Sequence, residues 1–108
     1  MIKTARINEH VEGERIDITV KNNKNHVLAP TWDLVMGMKN QKISWAQYEE
    51  GYMKLLNDRL KSRRPEFVQL IEKSKKQDIV LVCFCTDERY CHRRLAKDFL
   101  DRLAATAL

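Results

Sequence analysis

The sequence has no apolar run long enough to cross a membrane, because no stretch approaches the roughly 18 residues that a span needs. Its first ten residues, MIKTARINEH, lack the apolar segment of a signal peptide. Internal repeats, low-complexity tracts and linkers are also absent. These absences predict a cytoplasmic protein without a membrane partner, in which residues 1–108 fold as one domain with a core of its own.

Cysteine is scarce as well. The three cysteines, Cys83, Cys85 and Cys91, all fall within nine residues. Cys83 and Cys85 are too close along a strand to bridge comfortably, so a disulfide framework is not expected. A reducing cytosol fits this usage best, and there a tight cysteine cluster indicates catalysis, metal binding or redox chemistry.

The charge is basic, but only modestly so for a protein that binds DNA. The formal net charge is +5 at pH 7, which favours anionic partners. Residues 58–76 carry seven Lys or Arg against three acids. This basic segment is either a solvated helical face or a surface that contacts a polyanion such as nucleic acid.

Two early strands and a short helix are predicted in the first third of the chain. Residues 2–7 form the first strand, and residues 15–20 alternate polar with β-branched apolar side chains, as a strand does. The sequence KNNKN at 21–25 reads as a turn or loop. A helix follows with Thr31 as its N-cap and Gly37 near its end.

The second half of the chain predicts helices around one buried strand. Ser44 and Gln47 form a capping box before an apolar stripe that extends to residue 60, and Pro65 ends that helix and begins the next. Residues 79–85 carry no charge, which is typical of a strand covered on both faces. An amphipathic helix closes the chain. The expected fold is a three-layer α/β domain with a small, mostly parallel sheet flanked by helices.

The junction after the uncharged strand is the candidate site. There Cys91, His92, Arg93 and Arg94 enter the first turn of the last helix. Ligands of open α/β sheets bind beyond the carboxyl ends of strands, where helix N-termini favour phosphate or carboxylate. Two arginines at that helix end oppose its dipole. Either a bound anion offsets the conflict, or both side chains are exposed and tolerated.

Each thiol near the junction has more than one interpretation. Cys83, deeper in the apolar run, is expected to be core packing, whereas Cys85 ends the strand. Cys91 sits near a helix N-terminus beside His92, which favours the reactive thiolate, although simple packing stays open. His92 is a general acid or base, or it orients the cysteines.

Zinc is a separate alternative for the same residues. Three cysteines and His92 supply four ligands, but the spacing Cys-x-Cys-x5-Cys-His is not a standard zinc pattern. No metal or cofactor is therefore predicted.

At these residues the chain resembles a known family, the domain of unknown function numbered 488. The likeness lies in residues 81–85, LVCFC, followed by Cys-His-Arg at 91–93, and it extends upstream through 28–32, LAPTW, and 45–52 to the short form of the family. The resemblance implies that the shared polar positions are Cys85, Cys91, His92 and Arg93. Many members also carry Asp-x-Arg after an early strand. Here Asp17 matches the acid, but residue 19 is threonine.

The favoured function is an enzyme, or a binder derived from one, that handles a phosphorylated or nucleotide-like small molecule. In this interpretation Arg93, with Arg94 beside it, holds the anion. Cys91 or Cys85 is the thiolate and His92 transfers protons.

The role of Asp17 is open, and two alternative functions remain. Asp17 orients a ligand hydroxyl, pairs with Arg93, or only caps its strand. The first alternative function is a nucleic-acid-associated module that uses the basic segment, with the cysteine cluster structural or zinc-bound. The second is an interaction protein with Trp32, Trp45 and Tyr48 as its exposed anchor.

Overall fold

The computed structural model describes residues 1–84 and 91–107. Elements follow in the order β1 (Ile2–Arg6), β2 (Glu14–Asp17), α1 (Val20–Asn23), α2 (Trp32–Lys39), α3 (Trp45–Ser62), α4 (Arg64–Lys76), β3 (Ile79–Cys83) and α5 (His92–Ala107). Within these described ranges, no helix combines the length and apolarity that crossing a bilayer requires.

The sheet is parallel and has β3 at its centre. Strand β3 pairs with β1 on one side and with β2 on the other, so the order of the described strands is β1-β3-β2. Every residue of β3 is buried, as its uncharged sequence predicts. The strand ends at Cys83, before the expected end at residue 85, and Phe84 is 47% exposed. Cys85 and the loop to residue 90 lie outside the described residues.

The two faces of the central strand bury different clusters. Ile79 and Leu81 face the main core, which also contains buried side chains of α3, α4 and α5. Val80 and Val82 face a smaller cluster with Ala5, against which residues 7 and 11 of the β1–β2 connection pack. Alternation of side chains along a strand produces this division. The sheet therefore lies between two buried layers, and the predicted α/β class with a small parallel sheet is confirmed.

Helix ends follow the predicted capping chemistry. Thr31 caps α2 through its hydroxyl, which accepts from the Leu34 amide at 3.3 Å. Helix α3 begins with a complete capping box: the Gln47 amide donates to Ser44 Oγ at 3.1 Å, and the Ser44 amide donates to Gln47 Oε1 at 2.8 Å. Pro65 lies in the first turn of α4. Gly37 lies near the end of α2, as predicted, and the helix continues to Lys39.

The segment after β2 corrects one expectation. The strand predicted for 15–20 ends at Asp17. The one-turn helix α1 then begins at Val20 and includes residues 21–23, which were expected to be a turn or loop. Asp17 Oδ1 accepts from the amide and hydroxyl of Thr19, at 2.9 and 2.6 Å, and the Thr19 hydroxyl in turn accepts from the Asn22 amide. These side-chain hydrogen bonds turn the chain into a helix, which the β-branched run 18–20 did not indicate.

Candidate functional site

The parallel sheet brings the ends of β2 and β3 to one edge, and the start of α5 lies there too. Cys83 is the last residue of β3, and Cys91 immediately precedes α5. Cys83, Cys91, His92 and Arg93 are all buried. Three of the four predicted junction residues in the described chain are therefore enclosed at this edge, and Cys83 joins them. Arg94, the fourth, is half-buried.

The sulfur atoms of Cys83 and Cys91 are in direct contact. They are 2.6 Å apart, and both residues are thiols. Arg93 Nη1 lies 3.3 Å from the Cys83 sulfur and 3.8 Å from the Cys91 sulfur. A guanidinium is always charged, and a cation beside a thiol favours the thiolate. We refer to Cys83, Cys91 and Arg93 as the thiol cluster.

Cys83 is the residue that the sequence interpretation missed. It is buried, as expected of core packing, but its sulfur also meets Cys91 and Arg93. A signal was present in the sequence, since a strand end and the start of the following helix are neighbours in a parallel α/β unit. The side chain of Cys85, predicted to be the strand-end thiol, lies outside the described residues.

His92 is held in one orientation by two elements. Its Nε2 is 2.9 Å from the carbonyl oxygen of Ile18, and its ring meets the ring of Tyr52 edge-on, with centroids 5.7 Å apart. A carbonyl only accepts, so Nε2 must carry the proton. Burial is the main cause that lowers the pKa of His92, and the nearby Arg93 acts in the same direction. His92 is therefore neutral near pH 7, with its lone pair on Nδ1.

Asp17 makes the hydrogen bonds of a strand-end cap. Its carboxylate accepts from Thr19 and, through Oδ2, from Asn22 Nδ2 at 2.8 Å. Burial of the carboxyl opposes ionisation, but the hydrogen bonds from Thr19 and Asn22 outweigh it and lower the pKa of Asp17. Asp17 is thus an ionised anchor of the turn that leads to the site.

An aromatic cavity opens beside His92. Its volume is about 460 Å³, within the range of small-molecule sites. Aromatic and aliphatic side chains form most of the wall, with two lysines at the edge; the residues are Thr19, Val20, Lys21, Pro30, Trp32, Val35, Met38, Lys39, Trp45, Tyr48, Phe84 and His92. Apart from His92, which was predicted as catalytic, none of these was predicted as a residue of the junction site, because the cavity joins side chains from five separate segments.

The aromatic wall is an extension of helix α3. Trp45 and Tyr48 stack with ring centroids 5.3 Å apart, and Tyr48 stacks on Tyr52 at 6.2 Å. Tyr52 then reaches His92. Spacings of three and four residues place these rings on one face of the helix. Tyr48 is buried and Trp45 is partly buried, so these rings form a cavity wall rather than a protruding anchor.

Arg59 fixes the segment that brings Pro30 to the cavity. Its Nη1 donates to the carbonyl oxygens of Val27 at 2.8 Å and Ala29 at 2.6 Å, and the His26 carbonyl is 3.4 Å away. Buried carbonyls between helices need such donors. The charged group of Arg59, which belongs to the basic segment, therefore faces the protein interior instead of solvent.

Two more charges of the basic segment are also paired within the chain. Arg63 contacts Glu66 and donates to the Asn25 carbonyl at 2.7 Å, and Lys73 pairs with Glu14 at 2.6 Å. Lys61, Arg64, Lys75 and Lys76 are exposed. Three of the seven basic residues therefore have structural partners, which reduces the charge available to a polyanion.

Cys83, Cys91 and His92 together include three atoms that could ligate a metal ion. Cys83 Sγ, Cys91 Sγ and a ring nitrogen of His92 lie within 4.8 Å of one another. Two sulfurs on a tetrahedral zinc, each bonded at about 2.3 Å, lie roughly 3.8 Å apart. The observed separation of 2.6 Å is much shorter, and the Arg93 cation lies beside both sulfurs.

Comparison with known proteins identifies one family. The family model DUF488-N3a, described as the active DUF488-N3 subclade, matches residues 3–104. No curated protein and no solved structure matches the chain. The matched span includes both strands that end at the site, the wall of the cavity and the thiol cluster.

Proposed function

The chain belongs to the DUF488-N3 family, in its active subclade, and from this membership and the site geometry we propose that it binds an anionic, nucleotide-like small molecule in the aromatic cavity, as an enzyme or as a binder derived from one. The observation that carries the proposal is the cavity itself, which combines aromatic walls, two rim lysines and His92. Its position beyond the carboxyl ends of β2 and β3 is where open α/β sheets hold their ligands.

Aromatic side chains suit the base of such a ligand. Trp32 is 48% exposed and Phe84 is 47% exposed, although both line the cavity. Exposed faces of this kind offer a surface on which a planar heterocycle stacks, with about 1–3 kcal/mol for each stacked base. Phe84 also lies under Lys21, whose Nζ is 5.7 Å from the ring centroid.

Lysines suit the anionic part of the ligand. Lys21 and Lys39 are exposed side chains from α1 and α2 that line the same cavity. Lys is a common phosphate binder, acting as a point charge. We assign the first contact with a phosphate to these two lysines. In this proposal Arg93 does not hold the ligand directly. Its guanidinium stabilises the negative charge of the Cys83 and Cys91 sulfurs.

The reactive groups of the proposal are His92 and the thiols. A neutral imidazole is suited to accept a proton through Nδ1. Cys91 beside Arg93 supplies a thiolate, and Cys85 stays a second candidate nucleophile that lies outside the described residues. Arg94, half-buried in the first turn of α5, stays a candidate for anion binding.

Intrinsic fluorescence tests the proposal directly. The chain has two tryptophans, Trp32 and Trp45, and both line the cavity. Titration with nucleoside monophosphates should quench this emission in a saturable way, and the corresponding nucleosides should bind more weakly. Lys21→Ala and Lys39→Ala should each weaken nucleotide binding roughly two- to fivefold, as expected for exposed ion pairs worth about 0.5–1 kcal/mol.

A matched lysine and an aromatic variant complete the design. Lys75→Ala removes an exposed lysine away from the cavity lining and should leave the affinity unchanged. Trp32→Ala should weaken nucleotide and nucleoside alike. Nucleotides that fail to alter the emission at millimolar concentration, or that lose affinity equally in Lys75→Ala, would contradict the proposed site.

The nucleic-acid alternative predicts a different pattern. A polyanion held by Lys61, Arg64, Lys75 and Lys76 should dissociate steeply as salt increases, since each phosphate contact releases a counterion. It should also bind without altering the tryptophan emission of the cavity. Measuring single-stranded and double-stranded oligonucleotides at two salt concentrations therefore distinguishes the two functions.

A further inference from the structure

The thiol cluster combines two sulfurs that are already in contact. Cys83 Sγ and Cys91 Sγ are 2.6 Å apart, whereas a disulfide bond is about 2.05 Å long. One thiol lies at the end of β3 and the other immediately before α5, so two packed elements hold the pair together. Forming a bond between them needs little movement of the backbone.

Arg93 adds the charge that thiol oxidation requires. Its Nη1 contacts both sulfurs, at 3.3 and 3.8 Å. The thiolate, not the thiol, is the nucleophile, and a neighbouring cation favours it. Burial opposes ionisation of the two thiols, but the buried guanidinium of Arg93 is stabilised by an anion beside it. One negative charge shared by the two sulfurs therefore stabilises Arg93 and is stabilised by it.

We propose that Cys83 and Cys91 are a redox-active dithiol, which a small hydroperoxide oxidises reversibly to a disulfide. The Cys91 thiolate attacks one peroxide oxygen, so an S–O bond forms, the O–O bond breaks, and the departing oxygen leaves as water or an alcohol after taking a proton. Cys83 then attacks the Cys91 sulfur, which forms the S–S bond and expels hydroxide as water. The thiols lose two electrons and the peroxide gains them.

The order of attack follows from the neighbours of the two thiols. Cys91 adjoins His92 and Cys83 adjoins Phe84, and both of these neighbours line the cavity. Only His92 offers a proton acceptor, so we assign the first attack to Cys91. A dithiol reductant restores the pair by thiol–disulfide exchange.

Mass spectrometry of the intact chain tests this inference. The fully reduced protein, which has three cysteines, is treated with one equivalent of hydrogen peroxide under native conditions. We expect the loss of two hydrogen atoms, a fall from three alkylatable thiols to one, and a peptide map that joins Cys83 to Cys91. Reduction with dithiothreitol should return all three thiols.

Matched variants assign the bond. Cys85→Ser should still form it, whereas Cys83→Ser and Cys91→Ser should not, and Arg93→Gln should form it at least fivefold more slowly. The wild-type peptide map decides the question even if a variant does not fold. A bond that includes Cys85, or three thiols that persist after peroxide treatment, would overturn the inference. Protein treated in urea provides the control, because there the bond should no longer be confined to Cys83 and Cys91.

Discussion

Arg59 offers the sharpest test of how the fold supports the cavity. Counted by sequence, it belongs to the basic segment; in the structure its guanidinium donates to the carbonyls of Val27 and Ala29. Arg59→Met keeps the apolar stem and removes the donor. Arg59→Lys keeps the charge but loses the planar guanidinium that reaches several acceptors.

The expected loss of stability follows from these contacts. A hydrogen bond to a charged group contributes about 1.5–3 kcal/mol, and a buried carbonyl left without its donor adds a desolvation cost. Arg59 is half-buried, so solvent screening reduces the sum. We expect Arg59→Met to lower the free energy of unfolding by about 2 kcal/mol and Arg59→Lys by about 1 kcal/mol. For a domain of this size, 2 kcal/mol corresponds to a fall in Tm of roughly 8–16 °C.

Thermal and urea unfolding, followed by circular dichroism, measure both values. Arg64→Met and Arg64→Lys are the matched controls, because Arg64 is an exposed arginine of the same basic segment, and each should change stability by less than about 0.5 kcal/mol. Arg59 variants as stable as the Arg64 variants would refute the reasoning. The same result would restore Arg59 to the charges available for a polyanion.

Three further predictions concern the backbone, the core and pH. Gly13 has φ 138°, and an added Cβ would lie 2.9 Å from the Asp78 carbonyl oxygen. In urea unfolding, Gly13→Ala should therefore lower the free energy of unfolding by at least about 1 kcal/mol more than Gly37→Ala does. Equal losses in the two variants would contradict this. Tyr52 donates from its buried hydroxyl to the Leu28 carbonyl at 2.5 Å, so Tyr52→Phe should lose about 1–3 kcal/mol; a loss below 0.5 kcal/mol would show that this bond contributes little. Burial lowers the pKa of both His26 and His92. As pH falls through the ordinary histidine range, near 6.5, these two side chains therefore bind protons in the unfolded chain before they do so in the folded chain. Stability should therefore be retained above pH 7 and decline toward pH 5, by up to about 1.4 kcal/mol per pH unit for each histidine. His92→Asn should flatten this slope, and a slope equal to that of the wild-type protein would exclude His92 as a cause.

Much of the fold was predictable because its signals are local. The capping box of Ser44 and Gln47, the Thr31 cap and the position of Pro65 depend on a few adjacent residues, and each is present as predicted. The uncharged run beginning at Ile79 needed only the rule that a strand buried on both faces carries no charge. The early end of β2 was missed, because hydrogen bonds from Thr19 to the Asp17 carboxylate outweighed the β preference of residues 18–20.

The site was harder to predict because its parts meet only after folding. The sequence indicated Cys91, His92 and Arg93, which are adjacent along the chain. It did not indicate that Arg93 faces sulfur, since that contact depends on the distance between β3 and α5. The cavity was also missed, because Lys21, Trp32 and Phe84 come from separate segments. No local pattern links such residues.

His92 lies between the aromatic cavity and the thiol cluster. Its hydrogen bond restricts the proton transfers that it can make in either place. Because Nε2 donates to the Ile18 carbonyl, only Nδ1 is available to exchange a proton. The ring is neutral, so its first action toward a ligand or a thiol must be to accept a proton rather than to give one. A ligand that needs a proton at the start of its reaction must then receive it from another group. Ile18 immediately follows β2, so the backbone at the end of this strand determines which nitrogen of His92 carries the proton.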